Sequence, residues 1–297
     1  MINLHMKLSD FFDQQLIVRD NEFNVTYSQY FEAEKCIAYV DNIEFLNKLN
    51  LNKNISVVLT SKEFINLISD EKGIVLCEKP KEEFFKLHNK LALEKKFNLV
   101  NEHFIHESAK IAPTAIIGNN VQIGANVYIC DYAIIKDNTI IGNNTRIESN
   151  AIIGADGMQT SYIEDKSFFI EHLGGVKIGN YCHIYEGAII QKPYQAYFTE
   201  IGNYSKISVY VNVGHGSKIG ENTVLAGGAQ ISGNSKIGNN VWIGPSVTIA
   251  DSIIVGDNAK VRIGSVVIKN VKDSEDISGN FAVSHNSNLK NYLKLIR

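Results

Sequence analysis

Aliphatic residues recur at every sixth position through most of the second part of the chain. Counting in steps of six from Ile105, isoleucine occupies every step as far as Ile153. Two further runs, from Ile178 to Ile190 and from Ile201 to Val267, carry Ile, Val or Leu at each sixth residue. An average composition, in which about a quarter of residues are aliphatic, does not produce such runs by chance. The period of six therefore limits the fold more than any other feature.

This period predicts a coil of short strands. A helical face needs apolar residues every 3.6 positions, and a half-buried antiparallel strand needs them at every second position. Three hexads close one triangular turn, with each aliphatic residue pointing inward and small or polar residues at the corners. Neighbouring coils would stack through parallel ladders spaced about 4.8 Å apart. The prediction is a mainly β chain whose residues 105–267 form a parallel β-helix.

The period also divides the chain into three parts. Residues 1–100 lack the period, and we predict that they form a small α/β domain. Residues 101–272 are predicted to form the β-helix domain, and residues 273–297 a polar tail. The tail ends in a sequence that predicts a short helix from Asn286 onward, through Leu289, Leu293 and Ile296.

The amino-terminal part carries its own pattern. Two apolar runs, Ile55–Thr60 and Gly73–Cys77, predict buried strands, and Ser61–Ser69 and Lys81–Lys95 predict helices. Strands alternating with helices are typical of an α/β domain.

Two insertions interrupt the hexads. They lie between Ile153 and Ile178 and between Ile190 and Ile201, and both are rich in aromatic and polar residues. Long loops on a rigid scaffold often carry binding, so we expect a functional role, with surface decoration as the alternative.

Composition excludes several function classes. A formal net charge of −3 with dispersed lysines makes nucleic acid an unfavourable partner. The chain has no run of about 18 consecutive apolar residues, so we expect no membrane span. Its amino terminus is acidic where a signal peptide would be apolar, so we expect no export and a cytoplasmic protein. The four cysteines show no metal-binding spacing, and His103 with His106 lacks a third ligand, so we expect no metal site.

Four segments resemble one enzyme family. GADG at 154–157, HLGGVKIG at 172–179, VGHGSKIGENTVLAGG at 213–228 and SGNSKIGNNVWIG at 232–244 are similar to the UDP-3-O-acyl-glucosamine N-acyltransferases of lipid A assembly. These are hexapeptide-repeat sugar N-acyltransferases. The resemblance implies a left-handed β-helix and a homotrimer with sites between adjacent columns. It also implies that Asp156, in the GADG segment, contacts the sugar.

The resemblance extends into the amino-terminal part. The family holds a uracil between two aromatic rings in an F-x-x-N-x-x-Y pattern, and this chain reads Tyr39-x-x-Asn42-x-x-Phe45 with the aromatics exchanged. The resemblance therefore implies that Tyr39, Asn42 and Phe45 bind the base of a nucleotide sugar. Core packing of the two rings is the alternative.

His215 is the candidate catalytic base. It follows the inward Val213 by two positions, which places it on the outside of the column, in the register of the family's base. An imidazole with a pKa near 6.5 is suited to accept a proton from an attacking amine at neutral pH. Gly233 comes eighteen residues later, one full coil away, so its N–H is the candidate oxyanion donor. A plain corner glycine is the alternative.

The chain departs from the family at several places. Ser208 stands where the family has an acidic residue that orients the base, and Ser252 stands where it has a second histidine. A carboxylate from an insertion or a neighbouring chain, such as Glu171 or Glu200, is expected to replace the missing acid. The carboxy-terminal helices that help to receive acyl carrier protein are reduced, which favours a coenzyme A donor with a short acyl chain.

The leading hypothesis is an N-acyltransferase of cell-surface glycan synthesis. It moves an acyl group from a thioester, acyl-CoA in preference to acyl-ACP, to the amine of a UDP- or dTDP-linked amino sugar. The lipid A enzyme with an acyl carrier protein donor is the first alternative. A non-catalytic β-helix scaffold is the second, and a metal-dependent hydratase is the third.

Overall fold

The computed structural model describes residues 5–30, 33–94, 99–163, 165–279 and 282–295. Residues 104–277 wind into a column with three faces, each a parallel sheet of very short strands. Consecutive strands belong to different sheets, so the chain turns through all three faces once per coil. The predicted parallel β-helix is confirmed.

The three sheets are named here by their strands. Sheet I consists of Ile116–Ile117, Ile134–Ile135, Ile152–Asp156, Ile189–Lys192, Asn212–Val213, Gln230–Ile231, Thr248–Ile249 and Val266–Val267. Sheet II consists of Phe104–Ile105, Gln122–Ile123, Thr139–Ile141, Gly175–Ile178, Phe198–Ile201, Lys218–Ile219, Lys236–Ile237 and Ile254–Val255. Sheet III consists of Lys110–Ile111, Tyr128–Ile129, Arg146–Ile147, His183–Ile184, Lys206–Ile207, Val224–Leu225, Trp242–Ile243, Lys260–Val261 and Asp276–Ile277.

Side chains inside the column explain the period. The aliphatic residue that closes each strand points inward, and from Ile123 to Val267 these residues form one continuous buried cluster. A second buried position, four residues after the aliphatic one, is small. Where it is Ser or Thr its hydroxyl donates to a backbone carbonyl, in several cases one of the next coil, as Ser217 does to Ser232 at 3.1 Å and Thr223 to Gly238 at 2.8 Å. Polar groups inside the column are thereby satisfied.

The corners explain the frequent asparagines. The third residue after the inward aliphatic adopts a positive φ at many corners, as at Asn144 with 58° and Asn234 with 56°. Asparagine tolerates this left-handed conformation better than most residues with a side chain. The hexad therefore encodes a strand, a corner and a buried small residue in sequence.

The amino-terminal part forms a five-stranded sheet. Its strands run in the order Ile17–Arg19, Gly73–Leu76, Ile55–Thr60, Cys36–Tyr39 and Val25–Thr26, and only the first pair is antiparallel. Two helices pack on it, α1 (Ile43–Leu51) and α2 (Pro80–Leu93). Met6–Lys7 pairs with Glu22–Phe23 in a separate small ladder, and short 3₁₀ turns span Leu8–Asp10, Gln14–Leu16 and Ile65–Leu67.

The predicted elements of this part are mostly present. Both predicted strands form, and α2 buries Phe84, Leu87 and Leu91 as its spacing indicates. The helix predicted over Ser61–Ser69 is wrong, because that segment contains only the short 3₁₀ turn. Phe64 and Ile68 have helical spacing and are both buried, but a segment this short gains little from helical hydrogen bonds.

The two insertions hold the amino-terminal part against the column. The first contains a hairpin of Thr160–Ile163 and Lys166–Phe169, and its Ile170 and Leu173 join the buried core of the amino-terminal sheet. Buried His88 on α2 bonds to the carbonyl of Glu171 at 3.0 Å. From the second insertion, Gln195 donates to the carbonyl of Tyr27 at 2.6 Å. The insertions therefore pack against the amino-terminal part and hold it to the column, so they are more than surface decoration.

The predicted carboxy-terminal helix is present as α3 (His285–Leu295). Leu289 and Leu293 are exposed on it. Residues 296 and 297, which include Ile296 of the predicted helix, lie outside the described residues.

We predict that Ile207→Ala destabilises the protein, because Ile207 is fully buried in the column. Truncation of a buried isoleucine costs about 2–5 kcal/mol, since packing is lost and a cavity remains. Urea unfolding followed by circular dichroism measures the change. Lys206→Ala, on the exposed neighbouring position of the same strand, is the matched control. Equal stability of the two variants would contradict an interior packed by the aliphatic residues.

Candidate active site

His215 lies at the corner that follows the strand Asn212–Val213 of sheet I. Hydrogen bonds fix the backbone on both sides of it, from the Gly214 N–H to the Ile231 carbonyl at 2.7 Å and from the Gly216 N–H to Thr199 Oγ1 at 2.8 Å. The imidazole is half-buried on the outside of the column. This is the placement that the position of His215 in its hexad predicts.

Two glycines enclose the imidazole. A Cβ at Gly157, at the end of the GADG segment, would lie 2.8 Å from His215 Cδ2. A Cβ at Gly233 would lie 2.6 Å from both Cε1 and Nε2 of the same ring. Real Cβ atoms do not approach other atoms so closely, so any side chain at Gly233 would displace the ring. The strands that precede His215 and Gly233 are paired Val213 to Ile231, as the eighteen-residue spacing predicts.

The backbone N–H of Gly233 makes no hydrogen bond with any residue that the structure describes. Its neighbours are both engaged, Ser232 N–H with the Ile249 carbonyl at 3.0 Å and Asn234 N–H with the His215 carbonyl at 2.8 Å. At the equivalent corners after sheet II, side chains of the next coil accept this bond, as Asn239 Oδ1 does from Glu221 at 2.8 Å. The Gly233 N–H is thus an available donor beside the imidazole.

Asp251 completes the column of His215 and Gly233. Its Oδ1 lies 3.1 Å from the position that a Cβ at Gly233 would take, and His215 Nε2 lies 2.6 Å from that same point. The missing side chain at Gly233 therefore brings the imidazole and the carboxylate close together across the intervening coil. Burial lowers the pKa of His215 below its ordinary value, and the charge of Asp251 opposes this decrease.

The structure thus indicates a different partner for His215 from the carboxylates that the sequence suggested. Glu200 forms an ion pair with Lys218 at 3.0 Å, and Glu171 receives a bond from His88 on its backbone carbonyl. Asp251 follows Gly233 by eighteen residues, so the coil repeat itself contained the signal for it. It was missed because the family pattern places the acidic residue before the base.

Ser252, at the position of the family's second histidine, joins Asp251 to the amino-terminal part. Its hydroxyl donates to Asp251 Oδ2 at 2.7 Å and lies 3.3 Å from the hydroxyl of Tyr30. Tyr30 also lines a cavity in the amino-terminal part. The two candidate regions of the chain are therefore in contact through one short polar chain.

The cavity measures about 270 Å³ and is mostly aromatic. Tyr39 and Phe45 both line it, as the sequence pattern predicts for a base-binding site. Tyr39 packs on Phe84 with ring centroids 5.1 Å apart, and Phe45 packs on Tyr27 at 6.2 Å. Each of the two predicted clamp rings is thus supported by another ring of the same cavity. Its lining is completed by Ser28, Gln29, Tyr30, Ala38, Asp41, Asn42, Phe85, Tyr194 and Gln195.

Asn42 lines the cavity but its side chain is already engaged. Its Oδ1 accepts a hydrogen bond from the Phe45 N–H at 2.8 Å and so caps the amino terminus of α1. Its Nδ2 donates to Asp41 at 3.0 Å. The amide therefore holds Phe45 at the start of the helix, a role that sequence reasoning did not identify.

Asp156, predicted to contact a sugar, lies at the other end of the candidate site. Its carboxylate pairs with Lys192 Nζ at 3.2 Å and with Lys136 Nζ at 3.9 Å. The strand Ile152–Asp156 then leads directly to Gly157 against the His215 ring. The lysines fix the carboxylate near the base without bringing it onto the imidazole.

Within the described ranges, three or more His, Cys, Asp or Glu side chains nowhere group as a metal site would require. None of the helices there is long and apolar enough to cross a bilayer.

Comparison with known proteins agrees with the repeat. The family model for bacterial transferase hexapeptide repeats, described as six repeats, matches residues 120–155, 198–233 and 234–269. These three segments carry the hexapeptide repeat. The predicted left-handed parallel β-helix of this kind is confirmed. Of the site residues, His215 and Gly233 lie in the second match and Asp251 in the third.

Two solved acyltransferase structures are similar to part of this chain. A UDP-N-acetylglucosamine acyltransferase of Francisella novicida is 29% identical over 63% of this chain and 71% of that one, with a TM-score of 0.48. A UDP-N-acetylglucosamine O-acyltransferase of Moraxella catarrhalis is 28% identical over 63% and 75%, with a TM-score of 0.49. No curated protein matches the chain.

We predict that Asp251→Asn lowers the pKa of His215. The carboxylate favours the charged imidazolium and so raises that pKa against the effect of burial; neutralising it leaves burial unopposed. NMR titration of the imidazole C–H signal, assigned by its loss in His215→Gln, measures the change. Asp257→Asn, at a corner after sheet II, is the matched control and should leave the pKa unaltered. An unchanged or higher pKa in Asp251→Asn would exclude the proposed contact.

Proposed function

We propose that this protein is an N-acyltransferase that moves an acyl group from a thioester to the free amine of a nucleotide-linked amino sugar. The observation that carries the proposal is the column of His215, Gly233 and Asp251, which puts a base, a free N–H donor and a carboxylate in adjacent coils. Residues 1–100 would hold the nucleotide and residues 101–272 would perform the transfer.

The base acts on the attacking amine. As the amine nitrogen forms its bond to the thioester carbonyl carbon, it becomes positively charged, and His215 removes one of its protons. Because burial lowers the pKa of His215, the imidazole is mostly neutral at pH 7 and ready to accept. The nearby carboxylate of Asp251 then stabilises the imidazolium that forms.

The carbonyl oxygen becomes an oxyanion when the C–N bond forms. The unpaired N–H of Gly233 supplies a hydrogen bond at this stage, and one such donor typically contributes about 10²–10³ in rate. When the intermediate collapses, the C–S bond breaks and the thiolate leaves with the electron pair. The proton held by His215 neutralises that thiolate, so the products are an amide and a free thiol.

The nucleotide-sugar part of the proposal rests on the aromatic cavity. Tyr39 and Phe45 offer flat faces on which a pyrimidine base can stack, and the burial of Tyr39 together with nearby Asp41 raises the pKa of its hydroxyl, which stays neutral. The contact between Tyr30 and Ser252 ties this cavity to the carboxylate beside the base. A nucleotide-linked substrate would bridge the two regions.

Two further features belong to the proposal. We expect acyl-coenzyme A as the donor, with acyl carrier protein as the alternative. We also expect a homotrimer, in which column faces carrying exposed Tyr210 and Trp242 meet neighbouring chains.

We predict that thiol release from acetyl- or 3-hydroxybutyryl-coenzyme A with UDP- or dTDP-amino sugars collapses in His215→Ala, because the proposed base that takes the amine proton is lost. A dye that reacts with free thiols measures the rate. His285→Gln, on the exposed face of α3, is the control and should keep full activity.

The same assay separates the alternatives. Turnover only with acyl carrier protein donors would favour the lipid A reaction. Turnover with UDP-N-acetylglucosamine, which offers hydroxyl groups and no free amine, would overturn amine acylation but retain acyl transfer. No turnover with either donor class would leave the scaffold hypothesis.

We predict that Gly233→Ala reduces kcat by about 100-fold or more while the column stays folded, because the methyl group displaces the His215 ring from its place beside Asp251. Gly227→Ala is the matched control, since a Cβ there would meet only Val209 Cγ2 at 3.3 Å and the Val209 carbonyl at 3.6 Å. Circular dichroism verifies the fold. Wild-type kcat in Gly233→Ala would mean that the ring position does not matter for the reaction.

A further inference from the structure

A second histidine lies beside the candidate active site and takes no part in the proposed mechanism. His172 belongs to the first insertion, where it follows the hairpin and precedes Leu173 in the amino-terminal core. Asp156, Lys192 and His215 all influence the pKa of His172, so the ring lies within electrostatic range of the candidate active site. His172 lies outside the hexads, at the start of the HLGGVKIG segment, and its spacing did not single it out.

The tautomer of His172 follows from its backbone contact. Nδ1 lies 3.0 Å from the carbonyl oxygen of Ile170, which can only accept a hydrogen bond. The ring proton is therefore on Nδ1, and Nε2 carries a lone pair. Burial lowers the pKa of His172 to about 4, so the ring stays neutral at pH 7.

Nε2 is the unexplained atom. It is buried, and among the described residues it has no hydrogen-bond partner. Leaving a buried polar atom unpaired is destabilising, so each such atom in a folded protein needs an explanation. The flanking rings of Phe169 and Tyr194, with centroids 6.0 and 6.5 Å away, form no hydrogen bond with it.

The position of His172 indicates which ligand would supply the donor. The ring of His172 lies beside the ring of Tyr194, which lines the aromatic cavity. The segment is fixed there, because Leu173 N–H donates to the Tyr194 carbonyl at 2.9 Å and Gly174 N–H to the Pro193 carbonyl at 3.0 Å. Asp156 and His215 are near enough to influence the pKa of His172. His172 thus contacts the lining of the proposed nucleobase cavity and lies within electrostatic range of the proposed catalytic base.

We propose that His172 Nε2 accepts a hydrogen bond from a hydroxyl group of the bound sugar, which makes His172 a residue that selects the sugar. This inference rests on the proposed function. Because Nε2 is covered, its hydrogen bond to the sugar requires a local movement of the side chains beside it, while the backbone of the segment stays in place. A site that hydrogen-bonds a substrate in this way rejects analogues that lack the donor, since Nε2 would again be buried without a partner.

Two substitutions of His172 separate its two nitrogens. In His172→Asn the amide nitrogen takes the place of Nδ1 and keeps the bond to Ile170, but the acceptor at Nε2 is lost. In His172→Gln the amide oxygen reaches the position of Nε2 and keeps the acceptor. Calorimetry with UDP and UDP-glucosamine, and in parallel with dTDP and dTDP-glucosamine, measures the effect on binding.

We expect His172→Asn to weaken binding of the nucleotide sugar about tenfold and to leave the affinity for the bare nucleotide unchanged. His172→Gln should remain within about threefold of the wild type. The wild type should bind deoxy-sugar analogues that lack the donor hydroxyl with an affinity lower by a similar factor. This measurement does not depend on whether a variant folds.

Three outcomes are decisive. If the wild type binds neither UDP nor dTDP, the nucleotide-sugar function itself is wrong and the role of His172 falls with it. If nucleotides bind but His172→Asn changes the affinities for nucleotide and nucleotide sugar equally, or changes neither, only the role of His172 is wrong. If every deoxy analogue binds as well as its parent sugar, Nε2 receives no sugar hydroxyl.

Discussion

The parallel ladder between coils is the interaction on which the rest of the molecule depends. It holds residues one coil apart in register, so that Val213 pairs with Ile231 and Ile231 with Ile249. The same ladder fixes the outward positions that follow these residues, which are His215, Gly233 and Asp251. A base, a donor and a carboxylate are thereby aligned by backbone hydrogen bonds alone, and the fold needs no loop to assemble them.

Glycine at the middle position gives this alignment its chemistry. At the corresponding corners after sheet II, Asn and Asp side chains occupy the outward position and bond to the N–H of the coil before them, as Asp257 does for Asn239 at 2.7 Å. At Gly233 there is no side chain, so the imidazole and the carboxylate approach each other across one coil. One absent side chain converts a structural corner into a candidate active site.

The sequence predicted the column well because the determinants are local and periodic. Each hexad carries its own inward aliphatic, and corner residues such as Asn144 and Asn234 repeat with the same period. The positions of His215 and Gly233 followed from counting. The amino-terminal strands and α2 were also predictable from their apolar residues. The helix predicted over Ser61–Ser69 was wrong, because a segment so short can show helical spacing without forming a helix.

What the sequence could not predict depends on contacts between distant segments. Tyr30 of the amino-terminal part contacts Ser252 of the column, and the buried His172 belongs to the first insertion. These segments follow no period, so spacing carries no information about their neighbours. Asp251 is the exception, because the coil count would have found it had the count been continued past Gly233.

A column in which each coil contacts only its neighbours has a gradient of local stability along its axis, with fraying at the two ends. His215 follows the fifth strand of sheet I, whereas Asp251 follows the seventh, with only Val266–Val267 beyond it in that sheet. The carboxylate therefore lies on a part of the column that opens more readily than the part carrying the imidazole. Amide exchange would be faster around Asp251 than around His215, and any opening of the last coils would remove the charge that stabilises the imidazolium before it disturbed the base itself.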